Sequence, residues 1–151
     1  MMLNKNQRGL TLVELIVAIT IMGILVGAAV PLVTLSIRRE RERELRRDLW
    51  ELRDGIDRYK EMADSGKIQI KLGSEGYPPD LETLVKGVDI GPKRVRFLRH
   101  IPVDPMTGKA EWGMRSMTDD PESDSWGGQN VFDVFSKSEG TAIDGTKYKD
   151  W

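Results

Sequence analysis

A chain of 151 residues that sets aside one membrane-length apolar segment keeps room for a single modest soluble domain. Its net charge of -1, from 23 basic and 24 acidic residues, gives no reason to expect nucleic acid or another polyanion as a partner. The lack of cysteine excludes disulfides, thiolate zinc sites and a thiol nucleophile.

Residues 1–9 carry Lys5 and Arg8 and no acid, which is the positive opening of an export signal. Residues 10–37 hold one charged side chain, Glu14, over a length greater than the roughly 20 residues a helix needs to cross a bilayer. Two cleavage points suit this leader. A cut between Gly9 and Leu10 would leave the apolar helix on the mature chain and expose a new amino group at Leu10. A cut after Gly27-Ala28-Ala29 would follow the ordinary small-residue rule and remove the helix. Glu14 favours the first. A carboxylate in hydrocarbon calls for a partner, and the new amine, four residues away along a helix, supplies one if neighbouring copies stack with a stagger. Gly23 and Gly27 form a small-xxx-small pair that lets helix backbones approach closely. Pro31 removes a backbone hydrogen bond and is expected to kink or locally melt the helix.

Beyond Ile37 the chain turns abruptly charged, with nine basic and nine acidic residues up to Asp64. Leu45, Leu49, Leu52, Ile56, Tyr59 and Ala63 recur at alternating spacings of four and three, which draws one apolar stripe along a helix. The simplest reading is one continuous helix over 10–64, on the order of 80 Å long. Ser65-Gly66 ends it, and a polar linker follows. Tyr77 to Gly87 predicts a short helix capped by Asp80, faced inward by Leu81, Leu84 and Val85, and stopped by Gly87. A linker with Gly91-Pro92 and a basic stretch from Lys93 to His100 lead to a rigid turn at Ile101 to Gly108. Ala110 to Arg115 and Val131 to Phe135 predict strands, separated by a 15-residue loop, 116–130, of the length that is usually functional or mobile.

No catalytic constellation emerges. His100 stands alone, no Gly-rich phosphate loop is present, and Asp119 to Asp124 is an acidic loop without EF-hand spacing, read as solvated. The chain is therefore expected not to be an enzyme. Arg38, Arg39, Arg41, Arg43, Arg46 and Arg47 would, on charge alone, keep residues 38 onward in the cytoplasm. The interleaved Glu40, Glu42 and Glu44 blunt that argument, and intrahelical or intersubunit ion pairing accounts for the arginines more simply than DNA or headgroups.

Lys5 and Arg8, then Gly9 before Leu10-Thr11-Leu12-Val13-Glu14-Leu15, the apolar helix and Pro31 together resemble the type III signal of type IV pilins and of the pseudopilins of type II secretion. The resemblance implies cleavage by prepilin peptidase between Gly9 and Leu10, N-methylation of Leu10, and Glu14 as the assembly glutamate. Leu10 stands where that family usually has phenylalanine. "YPPDLETLVKG", "LRHIPVDPMTGKAEW", "VFDVFS" and "IDGTKYKDW" are similar to segments of the major pseudopilin, which extends the resemblance over nearly the whole chain. It implies an α+β fold, a long helix packed on a small antiparallel sheet. The expected parts are a leader (1–9), an assembly segment (10–37), an amphipathic continuation (38–64) and a globular region (65–151). The implied partners are further copies of the chain, prepilin peptidase, minor pseudopilins, and an inner-membrane platform with a cytoplasmic ATPase. The precursor would sit in the bacterial inner membrane with its C-terminal region periplasmic. Major pseudopilins bind calcium in an Asp-rich C-terminal loop. Here Gly140 to Trp151 offers Asp144 and Asp150 beside Lys147 and Lys149, so calcium stays open, with Asp144 its best ligand, and no metal site is assigned. A true type IV pilin, or a membrane-anchored binding or enzymatic domain with an uncut anchor, remains the alternative.

Overall fold

The computed structural model describes residues 11–151, the side chains of residues 28–32 excepted. The leader, Gly9 and Leu10 lie outside the described residues. Two compact units divide the chain, the second being Arg39–Trp151.

Helix α1, Leu12–Asp64, holds 53 residues and runs unbroken through Pro31, whose side chain and expected kink lie outside the description. In the second unit the stripe read from the sequence is the core-facing side of α1. Leu45, Leu49, Leu52, Ile56, Tyr59 and Ala63 are all buried, because spacings of three and four return to the same side of a helix every turn. Helix α2, Leu81–Lys86, starts where Asp80 Oδ1 accepts the Thr83 amide at 2.7 Å, and it stops at Gly87, whose φ of 80° favours glycine.

Four short strands form two separate antiparallel pairs. Strands β1 (Val88–Ile90) and β2 (Lys93–Val95) pair in the register Val88 to Val95, with Gly91-Pro92 as the turn. This hairpin replaces the linker and basic stretch expected there; the alternation of Val88, Asp89 and Ile90 spans only three residues, and Lys93 and Arg94 show none, so neither strand is long enough to read. Strands β3 (Trp112–Arg115) and β4 (Asp133–Ser136) pair in the register Trp112 to Ser136, close to the two strands expected. A 3-10 turn at Tyr148–Asp150 ends the chain. The architecture is α+β, a long N-terminal helix packed against small antiparallel sheets. The core joins the α1 stripe to Leu84, Phe97, Leu98, Trp112, Val131, Val134, Ala142 and Tyr148.

The turn before β3 is tied into both strands of that pair. Asp104 is fully buried, and its carboxylate accepts the Met106 amide at 2.7 Å and the Ser136 hydroxyl at 2.6 Å. Trp112 Nε1 donates to the Pro102 carbonyl at 2.9 Å.

Candidate functional site

Thr11 opens the described helix: its hydroxyl accepts the Glu14 amide at 3.3 Å, and its carbonyl accepts the Leu15 amide at 3.1 Å. Thr20 returns its own hydroxyl to the Ile16 carbonyl at 2.8 Å, so that its polar atom is spent within the helix. The aliphatic side chains between Leu12 and Val26 are all exposed, from Leu12 at 74% to Val17 at 50%. An apolar surface of this kind is not left to water in a folded protein and calls for lipid or protein around it. Among the described residues Glu14 has no cation beside its carboxylate. Gly23 and Gly27 share a helix side with no heavy atom within 4 Å of where a β-carbon would stand, so the backbone there is open to close approach.

Among the described residues no helix is long and apolar enough to cross a membrane. The apolar run of the sequence continues to Ile37, but its described side chains fall in two stretches, 11–27 and 33–37, with Val33, Leu35 and Ile37 exposed like those before Gly27.

Residues 4–30 match the family of the prokaryotic N-terminal methylation motif. The N-terminal segment is type IV pilin-like. The pilin-like motif implies processing by prepilin peptidase and polymerisation, and it suggests a membrane-anchored precursor. No curated protein and no solved structure matches the chain. Of the residues singled out in the sequence, Glu14, Gly23 and Gly27 lie on the described part of this pilin-like segment.

In the second unit, charged side chains of α1 hold the C-terminal segment against the helix. Glu42 Oε1 accepts the Ile143 amide at 2.9 Å and the Tyr148 hydroxyl at 3.0 Å. The Arg46 guanidinium lies 3.7 Å from the Trp151 ring centre and 3.5 Å from Asp144 Oδ2. Arg53 donates to Asp133 Oδ1 at 2.7 Å, to the Val134 carbonyl at 3.1 Å and to the Trp151 carbonyl at 2.8 Å. The Arg/Glu stretch thus includes these docking contacts as well as intrahelical pairs such as Arg43 with Glu40. Charge spacing along the helix gives no sign of which residues meet a segment some hundred positions away.

That docking bears on calcium. Asp144 Oδ1 accepts both the hydroxyl and the amide of Thr146, at 2.6 and 2.9 Å, and Oδ2 faces Arg46. The Thr146 hydroxyl, then its amide, and the Arg46 charge hold the Asp144 carboxyl below its ordinary range. Among the described residues no three acidic or histidine side chains converge on a point. This donor set does not fit the six to eight oxygens that calcium takes.

The acidic loop is folded on itself. Asp119 Oδ2 accepts the amides of Ser116 at 2.7 Å and Gly127 at 2.9 Å, and these bonds lower its pKa, that of Gly127 most. The Asn130 carbonyl accepts the Ser116 hydroxyl and Trp126 Nε1, closing the loop at its base. Asp124 pairs with Lys149 at 3.1 Å. His100 is exposed.

Proposed function

We propose that the chain is a structural subunit of a type II secretion pseudopilus, processed between Gly9 and Leu10, methylated at Leu10, and polymerised through its N-terminal helix to drive protein export. The observation that carries this reading is the methylation motif over residues 4–30, with Glu14 as its lone acid in an exposed apolar helix. The subunit performs no catalysis itself; the work of export comes from a cytoplasmic ATPase acting through an inner-membrane platform, with minor pseudopilins as further partners.

Stacking with a stagger sets the carboxylate of Glu14 beside the new amine of another copy, where each charge offsets the desolvation of the other. Gly23 and Gly27 give the close approach such packing needs. The similarity of the α2 segment, the Asp104 turn and the last strand to the major pseudopilin favours a secretion pseudopilus over a surface fibre, while the C-terminal loop departs from that pattern. A true type IV pilin is the second reading, supported by the same motif.

Mass spectrometry of the membrane-extracted chain tests the proposal. The expected mature N-terminus is N-methylated Leu10. An intact Met1, or a start after Ala29, would remove the basis for polymerisation.

A further inference from the structure

Opposite its buried stripe, α1 carries a second stripe at the same spacings of four and three: Arg39, Arg43, Arg47, then Trp50, then Asp54, Asp57 and Glu61. Its charges are sorted by sign. Residues 38–47 contain six arginines and three glutamates, a net +3, and residues 48–64 contain six acids and three bases, a net -3. Trp50 stands between the two bands and is 68% exposed, an uncommon place for the largest apolar side chain. Within the chain the stripe is poorly committed. Arg43 makes only an exposed pair with Glu40 at 3.3 Å, Arg47 makes two long ones, with Glu44 at 3.7 Å and Asp48 at 3.8 Å, and Asp54 pairs with Arg58 at 2.9 Å on its own helix. Arg39, Asp57 and Glu61 have no ion pair among the described residues.

The core of the second unit covers the other side of α1, so this face is the one the helix has left to offer a neighbour. We infer that the face is the contact between parallel copies of this chain, shifted along the helix by fourteen residues so that Arg43 of one copy meets Asp57 of the next and Arg47 meets Glu61. At 1.5 Å per residue the shift is about 21 Å. Fourteen residues are close to four turns, so both pairs stay on the same side of the helix. Unshifted parallel copies would place like charges together along the whole stripe, which the sorting of signs penalises. The inference rests on the polymer proposed above and concerns a different neighbour from the one whose amine meets Glu14, because a fourteen-residue shift sets Leu10 of one copy level with Ile24 of the other.

Reversing one band tests it in cells that assemble the wild-type chain. Asp57→Arg with Glu61→Arg should lower the yield of sheared polymer by about tenfold. Adding Arg43→Glu and Arg47→Asp to the same chain should restore it. Because the chain has no cysteine, a second measurement is clean. Copies bearing Arg43→Cys, produced together with copies bearing Asp57→Cys, should give disulfide dimers on oxidation, and Trp50→Cys alone should not. Unchanged polymer in the reversed variant, no rescue, or self-linked Trp50→Cys, which an antiparallel pairing would give, each overturns the inference while leaving a processed, polymerising chain intact. A wild-type chain without methylated Leu10 and without polymer overturns the underlying reading and this inference with it.

Discussion

An unpaired carboxylate in hydrocarbon costs about 3 kcal/mol on insertion scales, a cost to the lone subunit that, in the polymer proposed above, a neighbour's amine offsets at Glu14. Glu14→Leu should therefore be retained at least as well as wild type in the membrane fraction and yet give less polymer. Normal polymer yield, measured by shearing and sedimentation, would contradict the pairing. Asp48 presents a smaller problem of the same kind in the second unit. Its side chain is 8% exposed, and its nearest cation is Arg47 Nε at 3.8 Å. Burial raises its pKa, an effect that the Arg47 charge only partly opposes. With the folded pKa above the unfolded one, the charged form is what folding disfavours. The penalty is absent below about pH 4, where both states are protonated, grows as pH rises through the raised value, and is complete above it. Asp48→Asn should thus raise the melting temperature at pH 7 and lose that advantage on acidification below about pH 4. A gain of equal size at both pH values would assign the effect to packing instead.

Among the elements, α1 and α2 were legible because their signals are local. The stripe from Leu45 to Ala63 repeats over five turns, and Asp80 and Gly87 mark the ends of α2 with a cap and a positive φ. Asp80→Ala should cost about 1 kcal/mol in urea unfolding of the detergent-solubilised chain, the usual value of an N-cap. The β1–β2 hairpin was illegible for the opposite reason: Asp89 and Arg94 pair across it at 2.8 Å, a contact that three-residue strands do not announce. The β3–β4 pair was visible in its aromatic and β-branched residues, but what fastens it to α1 was not. Arg53 makes that junction, with one guanidinium serving Asp133, Val134 and Trp151 from 80 to 98 positions away. Arg53→Ala should destabilise the second unit by about 2 kcal/mol, since it strands two carbonyls and leaves the partly buried Asp133 carboxylate only Arg115, at 4.0 Å. Arg53→Lys should recover only part of the loss, because an ammonium group lacks the fork that reaches all three. Full recovery by lysine would show that charge alone matters. Gly113 has a steric reason to be glycine: an added β-carbon would lie 2.3 Å from the Phe135 ring.

For the whole molecule, the C-terminal segment poses the question of what replaces a metal. Loops that wrap calcium are closed by a cation of high charge; here the cation is a side chain. Arg46 reaches Asp144 and lies on Trp151, while Trp151 Nε1 donates to the Thr146 hydroxyl at 2.7 Å and Glu42 takes Ile143 and Tyr148. The folded loop keeps Asp144 ionised to lower pH than usual, so its contribution is present above the ordinary carboxylate range and is lost as pH falls through the depressed value. We propose that a loop closed this way holds without a divalent ion. The melting temperature of the full chain in detergent should be the same in millimolar calcium and in excess chelator. Arg46→Gln should loosen the loop in both conditions alike, read as faster proteolysis between Gly140 and Trp151. A calcium-dependent rise in melting temperature, or calcium rescue of Arg46→Gln, would show that a metal occupies the loop and that Asp144 turns away from Thr146 to hold it.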